Sequence, residues 1–236
     1  MTARRSRTLV AGALVALATC APALRAQVGN LPENSPFRDV EKRQDVSLIV
    51  GQSLGGKDKV GAAPRGGMVY GLRYDVNLGA SPLAFTSTVL RQSAGRDILQ
   101  PGLPAAQRIG GHVSQPLWMW DAAFTLLLTG NRSWRSLIPS VTAGVGLVTD
   151  NREVSDSSQF RFGTRFSPVL GFGVKYAPLT SRWTLRADLS NHFYSVPYPQ
   201  TFRDSTVGVP RITTAKSSWT RNTLLTLGLT RQIGRR

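Results

Sequence analysis

The sequence predicts an all-β protein in which eight antiparallel strands run up and down and close into a transmembrane β-barrel. Three features predict this fold: segments of two-residue alternation, connections that alternate between short and long, and an export leader. The clearest alternation runs from Phe160 to Tyr176, where even positions hold apolar or aromatic residues, Thr or Pro. Odd positions hold Arg, Lys, Ser, Gly and one Val. Residues two apart share a strand face, so one face meets lipid and the other a polar lumen.

An export leader opens the chain. Three arginines within the first seven residues precede an apolar run from Leu9 to Leu17, and small residues follow. This order is typical of a signal peptide, and the run is too short to cross a bilayer as a helix. We predict a signal peptide over residues 1–26, with cleavage after Ala26 and Ala23 as the alternative site.

Composition limits the other classes of protein. The 236 residues carry a formal net charge of +16, and removal of a leader with four arginines and no acid leaves +12. Charged residues make up 18% and hydrophobic residues 41%, which argues against a disordered chain and against a helical membrane protein. Cys20, the single cysteine, lies in the leader, so the exported chain has no disulfide and no thiolate metal site.

The first four strands follow a polar segment over residues 27–44, which we interpret as a periplasmic lead-in; residues 45–236 form the barrel. The first strand, about Asp45–Leu54, alternates Val and Leu with Ser and Gly. The second, Gly67–Leu78, places six apolar or aromatic residues on one face. The third, about Ser81–Gln92, alternates more weakly, and the fourth, about Val113–Thr129, presents two Trp, one Phe and two Leu outward.

The last four strands include Phe160–Tyr176 as the sixth. The fifth, about Trp134–Thr149, sets Leu, Val and Ala against Ser, Thr and Gly. The seventh, about Arg182–Tyr194, sets Trp, Leu and Phe against Arg, Asp, Ser and His, and the eighth, about Ser218–Ile233, sets Leu against Asn, Thr and Gly. Because proline removes a ladder donor, we expect β-bulges at Pro139 and Pro168.

The connections support a barrel with two different ends. Links after the second, fourth and sixth strands are short. The links after the first, third, fifth and seventh are longer: Gly55–Gly66, Ala94–His112, Asp150–Ser158 and Ser195–Ser217. Short periplasmic turns that alternate with long extracellular loops are the outer-membrane pattern.

The leader, the eight segments and the loop asymmetry together resemble the small eight-stranded outer-membrane barrels of Gram-negative bacteria, the OmpA/OmpX-like barrel domains. The resemblance covers about Asp45–Ile233 and rests on pattern rather than on a diagnostic motif. It implies a porin-like membrane protein of the outer membrane, delivered by its signal peptide, that meets the barrel-assembly machinery. Ile233 stands where such barrels often carry a terminal aromatic residue.

Parity divides the candidate functional residues between the two faces. The residues that we expect to face lipid are Phe162, Phe166, Leu170, Phe172, Trp118, Trp120, Phe124, Leu225 and Leu227. The residues that we expect in a charge network of the lumen are Arg73, Asp75, Asp121, Arg161, Arg165, Lys175, Arg186 and Asp188. Eight strands leave an interior only as wide as its side chains, so these charges must pair. The pattern favours a plugged lumen; the alternative is a narrow anion-preferring channel.

A catalytic interpretation ranks lower. Asp188, Ser190 and His192 share the inward face of the seventh strand and could form a hydrolytic group. Lipid-A deacylases are small barrels with a His and a Ser on one strand, but theirs face the bilayer and the His comes first. We therefore predict a hydrogen-bond network rather than an enzyme, and the lipid-A-modifying hydrolase stays the lower alternative. No spacing predicts a metal or cofactor site.

The predicted role is structural, or an interaction at the envelope surface, for a monomeric barrel. We expect its loop cations to meet outer-membrane lipids and lipopolysaccharide: Lys57, Lys59, Arg65, Arg203, Arg211 and Lys216. Nucleic acid is not an expected partner, since the cations do not form one stripe and the chain carries an export leader. The inward arginines argue against a lipocalin-like carrier, which needs an apolar lumen.

Overall fold

Twelve strands build the protein in the computed structural model, which describes residues 35–39, 44–56, 58–150, 159–178, 181–205 and 211–233. The predicted signal peptide and its cleavage site lie outside these residues. In chain order the strands are β1 Phe37–Asp39, β2 Gln44–Ser53, β3 Met68–Asn77, β4 Leu83–Gln92, β5 Gly95–Leu99, β6 Ile109–Ser114, β7 Leu117–Leu127, β8 Arg132–Trp134, β9 Leu137–Asp150, β10 Arg165–Tyr176, β11 Trp183–Pro197 and β12 Ser217–Ile233. The described helical segments are short 3-10 turns, and none could cross a membrane.

Eight of the strands close into a ring of antiparallel neighbours. The order around the ring is β2, β3, β4, β7, β9, β10, β11 and β12, and β12 then pairs with β2. In that closing ladder Leu224 lies opposite Ser53, and Ile233 lies opposite Gln44. The all-β, eight-stranded, up-and-down prediction is therefore confirmed. Both chain ends of the ring lie with the short turns, at what we term the short-turn end; the opposite end is the long-loop end.

The wall of the barrel is apolar outside and polar inside. Leu170 and Phe172 are 53% and 49% exposed on the outer face, whereas Thr226 and Asn222, on the inner face of β12, are buried. The remaining residues placed outward by parity are also exposed: Phe166, Trp118, Trp120, Phe124, Leu225 and Leu227. A protein folded in water buries its apolar side chains, so this reversal indicates a wall built to face lipid.

The prediction that Phe162 faces lipid is wrong. Strand β10 begins at Arg165, so the alternation from Phe160 to Thr164 belongs to a loop. Gly163 adopts a φ of 66°, in the left-handed region, which breaks the two-residue phase. Phe162 is consequently 0% exposed and inside. Arg161, which shares the loop, is exposed rather than part of the lumen network, so that prediction is wrong too.

Three further segments differ from the prediction. The fourth predicted strand is split into β6 and β7, and β6 pairs with β5 in a hairpin outside the ring. The predicted lead-in contributes β1, which pairs with β8 beside the ring. The ladder between β9 and β10 runs through Pro139 and Pro168 without a register shift. The bulges expected at these two prolines are therefore absent from that ladder.

The outer apolar belt has the height of a bilayer core. On β12 the outward Arg221 and Arg231 bracket three outward leucines. Ten residues at about 3.4 Å each, tilted by about 40°, give a height of roughly 26 Å, close to the roughly 25 Å band of transmembrane barrels. At the short-turn end the Arg231 guanidinium lies 5.7 Å from the centre of the Trp183 ring. This pairing suits an interfacial girdle.

Leu227→Arg tests the belt. Leu227 lies outward between the apolar Ala187 and Val50, near the middle of the belt. We expect the substitution to lower the free energy of unfolding from phospholipid vesicles by about 2–4 kcal/mol, because a charge would enter hydrocarbon. Ile233→Arg, outward at the short-turn end of the same strand, should cost about 0–1 kcal/mol. Urea titration measures both, and equal costs would contradict a lipid-facing belt.

Candidate functional site

Two arginines and two aspartates, the lumen quartet, cross the barrel interior. Arg73 and Asp75 come from β3, and Arg186 and Asp188 come from β11 on the far side of the ring. The quartet is nearly excluded from solvent and contains as many positive as negative charges.

The quartet is joined both within and across the strands. The Arg73 Nε lies 2.9 Å from an Asp75 oxygen, and the Arg186 Nε lies 2.6 Å from an Asp188 oxygen. Across the lumen, the Arg186 Nη1 lies 2.8 Å from the other Asp75 oxygen, and the Arg73 Nη1 lies 3.8 Å from Asp188. Each cation therefore meets both anions, which is the arrangement that compensates a buried charge.

Threonine hydroxyls complete the coordination of the quartet. Thr86 Oγ1 donates to Asp75 at 2.6 Å, and Arg73 Nη2 donates to Thr125 at 3.1 Å. A second ion pair, Lys175 with Asp45, joins β10 to β2 nearer the short-turn end. Paired charges therefore occupy the half of the lumen that is nearer the short-turn end.

Inward glycines make room for these charged side chains. Gly173 lies directly opposite Asp188, and Gly228 lies directly opposite Arg186. A Cβ on Gly173 would lie 2.3 Å from an Asp188 oxygen, and one on Gly228 would lie 2.7 Å from the Arg186 Cγ. The absence of a side chain at these two positions thus leaves room for the quartet.

A small cavity of about 40 Å³ lies on the long-loop side of the quartet and is lined in part by Asp121, Ser190 and His192. Ser190 Oγ lies 3.5 Å from the Nε2 of His192, and the Nδ1 of His192 lies 3.6 Å from Asp121. Within the described residues, that Asp121 oxygen and that ring nitrogen have no hydrogen-bond partner. The volume suits about three water molecules, and the lining is polar enough to hold them.

The carboxylate beside His192 is Asp121 rather than Asp188, which is committed to Arg186 and Arg73. The lower-ranked hydrolytic grouping of Asp188, Ser190 and His192 therefore lacks its acid, because Asp188 is held by the two arginines. Asp121 itself is buried in the lumen, where parity placed it, beside His192 and within electrostatic reach of Arg73. Gly146, opposite Asp121 in the ladder, again leaves room for the carboxylate.

An apolar stopper, formed by Phe160, Phe162, Tyr194, Met119 and Leu224, fills the lumen toward the long-loop end. These five side chains belong to one buried cluster, and each is 2% exposed or less. The rings of Phe162 and Tyr194 meet edge to face, with their centres 5.5 Å apart. The stopper therefore closes the half of the lumen that the charges leave open.

The long loops are fastened to one another above the stopper. Tyr198 donates its hydroxyl to Asp58 at 2.7 Å, which ties the last long loop to the first. Burial and this hydrogen bond raise the pKa of the Tyr198 hydroxyl above its ordinary value, so the hydroxyl remains a donor.

A second chain of contacts joins the middle loops. Arg96 stacks 4.6 Å from the centre of the Phe160 ring and donates to Gln115 at 2.6 Å. Gln115 in turn donates to Asp150 at 2.7 Å. Asp150 also accepts from the backbone N–H of Gly163, so the β5–β6 hairpin holds the loop that carries the stopper rings.

The remaining predicted lumen charges are placed unequally. Lys175 points inward and pairs with Asp45. Asp45 lies at an inward position by parity but is missing from the predicted lumen charge network. Arg165 is half-buried at the start of β10 and donates to the Phe162 carbonyl. The exposed Arg161 takes no part. Asp45 could have been found from the sequence, because it is an acid at an inward position of the first strand.

Comparison with known proteins finds similarity in architecture alone. No family model and no curated protein sequence matches the chain. Among solved structures, the chain is similar to Neisserial surface protein A, with 13% identity over 84% of this chain and 98% of that one and a TM-score of 0.49. It is also similar to the N-terminal β-barrel domain of OprF from Pseudomonas aeruginosa, with 14% identity over 80% and 98% and a TM-score of 0.42.

A third similar structure is Ail, the attachment invasion locus protein of Yersinia pestis, in complex with the heparin analogue sucrose octasulfate. The identity is 9% over 80% of this chain and 99% of that one, with a TM-score of 0.36.

Asp75→Ala tests the lumen quartet. We expect it to lower the free energy of unfolding by about 3–5 kcal/mol, because Arg73 and Arg186 would each lose a partner in a buried site. Asp39→Ala, which breaks an exposed pair with Arg132 whose side chains are 76% and 64% exposed, should cost less than about 1 kcal/mol. Urea unfolding of each variant in the same micelles makes the comparison. Similar losses would mean that the quartet does not brace the barrel.

Proposed function

We propose that this protein is an outer-membrane β-barrel with a closed lumen and a structural or surface-interaction role in a bacterial envelope. The observation that supports it most is the reversed wall, apolar outside and charged inside. Lipid offers no hydrogen-bond partners, and a closed ring supplies all of them within the sheet. The proposal includes delivery by the predicted signal peptide, contact with the barrel-assembly machinery, and a monomeric state.

Two barriers in series support a closed lumen. An ion entering from the long-loop end meets the stopper, whose buried side chains are mainly apolar and replace little of the ion's hydration water. An ion entering from the short-turn end meets Lys175 with Asp45 and then the quartet, where every charge already has a partner. Anion selectivity needs uncompensated cations along a path, and the quartet is neutral. The structure of the lumen thus favours a plug over the anion-channel alternative.

The enclosure of His192 supports a role without catalysis. His192 is 1% exposed and lies between the quartet and the stopper. Ser190 also points inward, so neither side chain meets lipid on the outer wall. An acyl chain in the bilayer could not reach the pair without crossing the sheet, whose backbone hydrogen bonds form a continuous ring. We therefore rank the hydrolase below the channel.

The fastened loops support a surface role. Contacts of Tyr198 with Asp58, and of Arg96 with Phe160 and Gln115, hold the loops to the barrel mouth. A loop surface that is already ordered loses less conformational entropy when a partner binds. Its exposed cations, among them Lys59, Arg211 and Lys216, suit anionic groups of lipopolysaccharide.

Cell fractionation combined with gel mobility tests the proposal. The protein should appear in the outer-membrane fraction, and unheated samples should migrate in detergent gels at a different apparent mass from boiled samples. The physical reason is that a ring without free edges unfolds slowly until it is heated. Recovery in a soluble fraction, or a mobility that heating does not change, would refute the membrane barrel.

Planar-bilayer recordings test the closed lumen separately. We expect no stepwise ion current from barrels whose insertion the mobility shift has verified, since both barriers span the lumen. A large general porin, added to the same bilayer, serves as the positive control. Reproducible steps with anion preference would replace the plug by the channel alternative while leaving the membrane barrel intact.

A further inference from the structure

An outward arginine lies between two aromatic rings at the long-loop end of the wall. Arg91 precedes the last residue of β4 and lies in register with Tyr70 of β3 and Trp118 of β7. Its guanidinium carbon lies 5.9 Å from the centre of the Tyr70 ring and 5.7 Å from the centre of the Trp118 ring. Both distances fall within the range of cation–π contacts. Three strands thus present one ring–cation–ring row to the outside.

The row is short of negative charge. On the outward positions of the described strands of the ring there are three cations, Arg91, Arg221 and Arg231, and no Asp or Glu. The outward neighbours of Arg91 along and across the sheet are Met68, Leu72, Val89 and Trp120 beside the two rings. Arg91 is exposed, and among the described residues its guanidinium contacts no carboxylate and donates no side-chain hydrogen bond. Its N–H donors remain available to a group outside the protein.

The position of the row selects the kind of group. Trp and Tyr on a membrane wall lie at the level of the lipid headgroups, and an arginine at that level reaches phosphate rather than hydrocarbon. Arg91 adjoins the long connection from Ser93 to Pro116, which the proposed function places outside the cell. The phosphates at that level belong to the outer leaflet, and in a Gram-negative envelope that leaflet is built from lipopolysaccharide.

We propose that Tyr70, Arg91 and Trp118 form a binding site for a phosphate of the lipid A part of lipopolysaccharide. The guanidinium fork donates paired N–H groups to the phosphate oxygens, a geometry that a planar fork matches better than an ammonium group. The flanking rings hold the guanidinium at the rim through cation–π contacts and leave its N–H donors free for the phosphate. Acyl chains of the same lipid lie along the apolar residues below, Leu72, Val89 and Trp120.

The inference rests on the proposed function, since the leaflet is assigned from the outer-membrane orientation. Its test is independent of cell fractionation, because binding is measured on purified, folded barrel in uncharged detergent micelles. A protein absent from the outer membrane could still bind lipid A there, and an outer-membrane protein could fail to bind it. The two proposals therefore fail by different results.

The experiment titrates lipid A carrying both phosphates into the wild type, Arg91→Gln, Arg91→Lys and Arg231→Gln, with bound lipid counted by native mass spectrometry. Arg231→Gln is the matched control, because Arg231 also stacks on a tryptophan but lies at the short-turn end. We expect Arg91→Gln to weaken binding about fivefold, the effect of one cation near a lipid phosphate. The affinity of Arg91→Lys for lipid A should lie between those of the wild type and Arg91→Gln, and Arg231→Gln should bind lipid A as tightly as the wild type does.

Three results would overturn the site. Arg91→Gln could bind as tightly as the wild type, Arg231→Gln could lose as much affinity, or phosphatidylglycerol could bind as well as lipid A. Lipid A stripped of its phosphates should bind the wild type and Arg91→Gln with equal affinity. Inorganic phosphate at the same concentration should not displace intact lipid A from the wild type. Heat-modifiable mobility confirms that each variant is folded. If Arg91→Gln does not fold, the stripped lipid and Arg91→Lys decide between the same outcomes.

Discussion

The ladder between β12 and β2 is the constraint on which the rest of the structure depends. It joins the last strand to the first, with Ile233 opposite Gln44 and Leu224 opposite Ser53. Without it the sheet would end in two rows of unpaired amides, which hydrocarbon cannot satisfy. Because the ladder pairs these amides, the outer wall can present apolar residues to lipid. The closure also fixes the interior width, since eight strands enclose little more than their own side chains.

That narrow interior explains the division of the lumen into layers. The quartet, the small polar cavity and the apolar stopper succeed one another from the short-turn end to the long-loop end. Each layer joins strands that are not neighbours, as when Arg186 of β11 lies 2.8 Å from Asp75 of β3 within the quartet. Large and small residues are matched across the ladders: Asp188 lies opposite Gly173, Arg186 opposite Gly228, and Asp121 opposite Gly146.

Parity within a strand predicted most of the wall, because residues two apart share a solvent whatever their partners. It placed Leu170 outside and Arg73 inside without knowledge of register. It failed at Phe162, where Gly163 turns the chain and the alternation continues by chance into a loop. The partnership of His192 with Asp121 could not be predicted, since it depends on how β7 and β11 face each other across the lumen. The addition of β1 to β8 likewise depends on contacts between distant segments.

The quartet is built from two strands that each carry an arginine and an aspartate two residues apart. Arg73 with Asp75, and Arg186 with Asp188, are bonded within their own strands as well as across the lumen. Each of these two strands is therefore electrically balanced before it meets the other. Each of the two strands can thus enter a membrane without a lone charge, because its arginine and its aspartate neutralise each other.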